Sequence, residues 1–230
     1  MKTKNYLGLS TKIICALFAI TLTFSACKKD WNDDPIEAAG IGFVHASPGT
    51  AALDYILDNQ KIGSFSYTND RGYFAAYPGT RLVGVSKKDS LKYLTNGTAA
   101  LKGGSFYSVF VVDTLKSTKL LLVEDDLKAP ETDKAKIRFI NLSPGSSPLD
   151  LALDGNATAL FTSKAFKEYT AFTSINPSES YTFQVKQAGT VRATLPAIKI
   201  EKGKIYTIWA KGLSSATDST KFGLAIMTNK

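Results

Sequence analysis

Cysteine and histidine are almost absent: the 230 residues hold two cysteines, Cys15 and Cys27, and one histidine, His45. A zinc site built from His and Cys therefore has no material, and neither cysteine has metal-ligand spacing. A Ser-His-Asp or Cys-His arrangement would have to use His45. No glycine-rich phosphate loop of either standard type occurs. Basic residues never cluster into a stripe, so the formal charge of +8 reads as a Lys-rich surface with no nucleic-acid partner. No apolar run reaches the roughly 20 residues that a membrane-spanning helix needs. Beyond the first 26 residues no stretch keeps a 3.6-residue period. These gaps point away from enzymes, metals and cofactors.

What is present begins at the start of the chain. Residues 1–12 carry Lys2, Lys4 and Lys12 and no acid, and Ile13 to Phe24 is mostly apolar. A basic start, a short apolar run and small residues before a cut form a secretory signal. Here Ser25-Ala26 is followed at once by Cys27 and then by K-K-D-W-N-D-D. The stretch L22-T-F-S-A-C27 resembles the bacterial lipobox, with Phe24 where Leu is usual. That resemblance implies a signal peptide over 1–26 and acylation, palmitate included, of Cys27. Each buried acyl CH₂ adds about 0.8 kcal/mol of membrane affinity, so several chains hold a protein firmly. The charged residues after Cys27 cannot bury enough apolar surface to fold, so 27–37 reads as a tether. They also resemble the short charged signal with which Bacteroidetes-type bacteria send lipoproteins to the cell surface. The expected location is thus the outer membrane, lipid-anchored, with surface exposure favoured over the periplasmic face.

The rest of the chain repeats itself. F43-V-H-A-S-P-G-T-A-A-L-D-Y-I-L-D-N59 aligns with F139-I-N-L-S-P-G-S-S-P-L-D-L-A-L-D-G155 at an offset of 96, and L101-K-G-G-S-F-Y-S-V-F110 aligns with I200-E-K-G-K-I-Y-T-I-W209 at 99. Two copies make a tandem pair, too few for a solenoid. The polar stretch A129-P-E-T-D-K-A135 reads as a linker between domains over 38–128 and 136–230.

Both copies carry strand patterns. Leu53, Tyr55 and Leu57 alternate with Asp54 and Asp58, and Leu149, Leu151 and Leu153 with Asp150 and Asp154. Asp58-Asn59 and Asp154-Gly155 are turn dipeptides, the second a strong hairpin signal. Residues 107–112, 119–123, 181–185, 206–210 and 222–227 are strands by β-branched and aromatic content. Tyr107 and Tyr206 each follow a glycine by three residues, an arrangement that resembles the tyrosine corner of immunoglobulin-like sandwiches. The expected fold is all-β, two tandem immunoglobulin-like sandwiches after the N-terminal signal helix.

Ser47-Pro48-Gly49, Leu53, Asp54, Pro78-Gly79-Thr80 and Gly104/Tyr107 in one copy, with Asn141, Ser143-Pro144-Gly145, Leu149, Asp150 and Gly203/Tyr206 in the other, resemble the bacterial "domain of unknown function 4397". The second copy has Pro177-Ser178-Glu179 where Pro-Gly-Thr is usual. The likeness implies a fold and a cell-envelope setting, and supplies no activity.

Chemistry is therefore sought among individual residues. His45 has Asn141 as its counterpart, so both side chains are expected to cap the Ser-Pro-Gly loop. Asp54/Asp58 and Asp150/Asp154 lie about 13 Å apart along a strand face, too far to share a proton or one metal, although Ca²⁺ could still be bound if loops supplied further oxygens. Asp54 and Asp150 are expected to bond the preceding loop. Tyr73, Phe74 and Tyr77, with Tyr169 and Phe172 in the second copy, are candidates to contact a ligand, because aromatic surfaces bind sugars and proteins. The sequence thus implies a non-enzymatic binding or adhesion module for protein or glycan, or else a spacer or scaffold in an envelope complex.

Overall fold

A computed structural model describes residues 36–230. The expected signal peptide, Cys27 and most of the expected tether lie outside the described residues. Among the described residues no helix is long and apolar enough to cross a membrane.

The expected all-β fold, a pair of sandwiches, is what the structure shows. The first is built from β1 (Ala39–His45), β2 (Leu53–Leu57), β3 (Gln60–Phe65), β4 (Asp70–Ala76), β5 (Gly79–Lys87), β6 (Tyr93–Leu101), β7 (Phe106–Val112) and β8 (Lys119–Asp125). The second uses β9 (Ala135–Asn141), β10 (Leu149–Leu153), β11 (Phe161–Lys164), β12 (Thr173–Ile175), β13 (Ser178–Gln187), β14 (Thr190–Ile200), β15 (Ile205–Lys211) and β16 (Gly223–Thr228). The sheet orders are β4-β1-β7-β8 and β3-β2-β5-β6, then β12-β9-β15-β16 and β11-β10-β13-β14. Strand for strand these orders are the same. In each half the first strand runs parallel to the seventh, Phe43 beside Val109 and Phe139 beside Ile208.

Alternation sets the layers. Ile41, Phe43, Leu53, Tyr55, Val85, Val109 and Val111 fill the first core, and Ile137, Phe139, Leu149, Leu151, Phe183, Val185 and Ile208 the second. Most intervening residues of β1, β7, β9 and β15 are buried as well, Phe106, Lys136 and Lys211 near the strand ends excepted. Val44, Phe110, Val112, Ile140, Leu142 and Trp209 form a third core, in which the β1 sheet packs on the β9 sheet. The run Y107-S-V-F-V-V112 is buried on both faces, and four apolar residues in a row, Val109 to Val112, reflect that.

Within this third core a ring of side chains closes on itself. The Tyr73 hydroxyl donates to Asp125 Oδ2 at 2.5 Å, and Asp125 Oδ1 lies 2.6 Å from Arg138 Nη1. Arg138 Nε donates to Thr207 Oγ1 at 2.8 Å, and Thr207 donates to Asn229 Oδ1 at 2.6 Å. Asn229 Nδ2 returns to the Tyr73 hydroxyl at 2.8 Å. Burial, and then the Asp125 charge, push the Tyr73 phenol well above its ordinary pKa. The segment between β8 and β9 is held down as well, since Lys136 Nζ and Lys230 Nζ donate to the carbonyls of Lys128 and Leu127.

Candidate binding cleft

The repeated motif residues are structural. Ser47 Oγ donates to the Asp113 carbonyl at 2.5 Å, and Ser143 Oγ to that of Gly212 at 2.7 Å, tying each Ser-Pro-Gly loop to the end of the seventh strand. Gly49 and Gly145, after Pro48 and Pro144, take φ of 76° and 73°, which glycine adopts without strain. His45 Nε2 donates to the Ala51 carbonyl at 3.2 Å, while Asn141 receives the Ser143 N–H and donates to the Lys164 carbonyl. Both therefore cap their loops. The Lys102 N–H donates to the Tyr107 hydroxyl at 3.2 Å and the Glu201 N–H to Tyr206 at 3.1 Å, two tyrosine corners of one geometry.

Two expectations are corrected. Asp54 and Asp150 do not bond the preceding loop. Asp54 accepts from Ser64 on β3, from the Asp89 N–H and from Lys61, and Asp150 accepts from the Ser163 N–H, because outward side chains meet neighbouring strands. Asp58-Asn59 makes the two-residue turn, with φ of 48° and 64°. Asp154-Gly155 instead opens a longer connection, for β11 begins only at Phe161. Asp154 is held by the Gln184 amide at 2.7 Å, and Gly155 alone takes positive φ, so the type I′ pair never forms.

The aromatic candidates do not converge. Tyr73 belongs to the third-core ring. Phe74 stacks on Phe43 in the first core with Arg71 against its ring. Phe172 lies 4.5 Å from the Arg138 guanidinium carbon. These three are half-buried and taken up in packing, Tyr73 and Phe74 on β4 and Phe172 just before β12. Tyr77 and Tyr169 are exposed, at 74% and 46%, but they stand in different sandwiches.

A cleft of about 480 Å³ lies elsewhere, on the outer face of the β3-β2-β5-β6 sheet, beneath the hairpin 88–92. Its floor follows from register: Asp54 pairs with Ser86 and with Ser64, and Ser86 with Tyr93. Val83 and Val85 point into the core, so Gly84 and Ser86 face outward. A shift in register between Val85 and Ser86 bends the strand where the hairpin leaves it. The Asp89 N–H donates to Asp54 Oδ2 at 2.8 Å and clamps the hairpin over the floor. Tyr93 lies across Gly84, whose missing Cβ would stand 2.5 Å from the ring, and donates to Asn59 Oδ1 at 3.1 Å.

The electrostatics of the cleft centre on Asp54. Burial alone would raise its pKa, but Lys61 at 2.8 Å, the Ser64 hydroxyl and the Asp89 N–H outweigh this and hold it below the ordinary value. The carboxylate is thus ionised and fully engaged. Ser86 is not: its hydroxyl is wholly buried and has no hydrogen-bond partner. Lys61 and Asp89 border the cleft with exposed charge, and Ile56 and Leu91 add apolar surface. A cavity of about 540 Å³ at the other end of the sandwich lies along Gly104–Phe106 and Glu124–Lys128, and its buried Asp125 turns inward to its ion pair with Arg138. Sequence reasoning passed over Ser86, Asp89 and Tyr93, because K87-K-D-S-L-K92 reads as an ordinary polar turn. No group of three His, Cys, Asp or Glu residues suited to a metal exists among the described residues.

Comparison with known proteins adds a family and little more. The family described as "Domain of unknown function (DUF4397)" matches residues 39–152, which supports the resemblance over the whole first sandwich and into β10. No curated protein matches the sequence. Among solved structures, CBMbc of family CBM26, from Eubacterium rectale Amy13K in complex with maltoheptaose, is 11% identical with a TM-score of 0.29, covering 84% of this chain and 97% of that one. A TM-score that low carries no inference about site or ligand. No enzyme family is indicated.

Proposed function

We propose that this chain is a non-catalytic binding module for glycans, that its ligand lies in the cleft under hairpin 88–92, and that it is carried on a lipid at Cys27. The observation that carries the reading is the unpartnered Ser86 hydroxyl, buried at the floor of an open cleft beside a half-buried aromatic ring. An orphaned buried hydroxyl costs about 1–3 kcal/mol of stability, so a partner arriving with the ligand is the economical account. Sugars present the complementary chemistry: hydroxyls for Ser86, Lys61 and Asp89, and an apolar C–H face for Tyr93. A concave site of this size suits a short glycan better than the broad, flat surface a folded protein needs.

The anchor rests on L22-T-F-S-A-C27, and outer-membrane display on the charged residues after it. The second sandwich reads as a second copy of the same unit, supported by its identical strand order, its Ser-Pro-Gly loop and its corner tyrosine. The corresponding domain limits are 38–128 and 136–230. A spacer or assembly scaffold is the second reading, favoured by the third core that joins the two sandwiches. Co-purification with fixed envelope partners would support it.

The test is a glycan array probed with the soluble fragment 28–230, beside its Tyr93→Ala variant. Discrete hits lost in the variant are expected, and uniform silence would sink the reading. Cys27→Ser should abolish membrane partitioning, and protease shaving of intact cells should reach the sandwiches.

A further inference from the structure

One end of the molecule is built unlike the other. Here β1, β5 and β7 finish, so the Ser-Pro-Gly loop, the hairpin 88–92 and the turn 113–118 lie side by side, as the pairings Leu53–Lys87 and His45–Val111 require. At the tip of the hairpin Leu91 is 101% exposed, and Leu115 is exposed in the adjoining turn. A fully exposed leucine on a short, well-tied hairpin serves no core. Lysines surround the two side chains: Lys87, Lys88 and Lys92 on the hairpin and Lys116 beside Leu115, all exposed. Leu115, Lys87 and Lys88 line one groove of about 370 Å³ with residues 49–53. The acids nearby do not balance them, since Asp113 is neutralised by Lys167 at 2.7 Å and Asp89 turns to Lys61. At the opposite end the corner turns carry lysine and acid together, with Lys202 paired to Asp133 and Lys199 to Glu179.

We infer that this loop end docks on an anionic lipid bilayer, Leu91 and Leu115 entering between headgroups while the lysines meet their phosphates. Aliphatic tips ringed by ammonium groups match the bilayer interface, where apolar side chains lower the cost of insertion and each lysine near the surface adds attraction. A soluble polyanion would reward the lysines but leave the leucines in water. Leu91 also lines the glycan cleft, but vesicles without glycan test the docking separately from that reading. The docking is also compatible with an anchor at Cys27. The twelve positions from Cys27 to Ala39 span at most about 40 Å when extended, and β1 is about 23 Å long, so anchor and loop end can meet one membrane.

All the described strands and their three cores lie in residues 36–230, so this fragment keeps the packed sandwiches and omits Cys27. Its sedimentation with vesicles of phosphatidylcholine containing about a third phosphatidylglycerol is compared with pure phosphatidylcholine. Partitioning to the anionic vesicles alone is expected, falling as salt rises. Reversing Lys87 and Lys88 to Glu should weaken it at least 25-fold, at about fivefold per lysine. Leu91→Ser with Leu115→Ser should also weaken it severalfold while leaving the melting temperature unchanged, because both side chains are exposed. Lys102→Glu with Lys204→Glu, at the opposite end, should change little. Equal partitioning to both vesicle types, none to either, or equal loss from the opposite-end reversal would overturn the inference. So would binding to soluble polyphosphate as tight as to vesicles and indifferent to the two leucines.

Discussion

Arg138 and Asp125 form an ion pair at 2.6 Å in which neither side chain is more than 2% exposed, and they come from different sandwiches. Asp125 ends the last strand of the first sandwich and Arg138 lies in the first strand of the second. The pair ties the two sandwiches together beside the third core. Asp125→Ala leaves a buried guanidinium without its charge partner and should cost about 3–5 kcal/mol by urea denaturation. Replacing both, Asp125→Leu with Arg138→Met, should cost clearly less than the single change, because no orphan charge remains.

His45 should give the protein a pH dependence that one substitution removes. Burial holds its pKa below the ordinary value of 6.5, against the opposing hydrogen bond to Ala51. The unfolded chain therefore binds the proton more readily than the folded one. The stabilisation is complete above the ordinary pKa and is lost as pH falls through the depressed folded value. Melting temperatures should drop between pH 7 and 5 in the wild type. His45→Asn, which copies the Asn141 cap, should flatten that slope, and an unchanged slope would place its origin elsewhere.

The two tyrosine corners should behave alike. Tyr107→Phe orphans the Lys102 N–H and Tyr206→Phe the Glu201 N–H, both partly buried, at about 1–2 kcal/mol each. Chemical denaturation of the two single variants measures this. A large loss in one and none in the other would show that the matching geometry conceals unequal roles.

The sequence displayed the two sandwiches more readily than their union. Residues 107–112 and 206–210 were legible as strands, since β-branched and aromatic side chains dominate them. The successive apolar residues Val109 to Val112 and Ile208 to Ala210 also held the signal for a third core, because a strand with one wet face alternates. Arg138 obscured it: a lone arginine in a strand reads as solvent-facing until its partner is known. Short or exposed strands such as β3, β11 and β12 lack any strong period. In β14 the pattern is broken by Pro196 and by Ala197, whose φ is 57°. The cleft was not legible at all. Ser86 and Tyr93 become neighbours through cross-strand register, and only the fold reveals that the Ser86 hydroxyl lacks a partner.

Ser86→Ala separates function from fold more directly than any other change. It removes an unpartnered buried hydroxyl, so the melting temperature should stay level or rise slightly. For a glycan that binds the wild-type array, titration calorimetry should show affinity falling about fivefold to tenfold, the worth of one hydrogen bond of about 1–1.5 kcal/mol. Undiminished affinity in Ser86→Ala, with the fold intact, would contradict the assignment of the cleft as the glycan site.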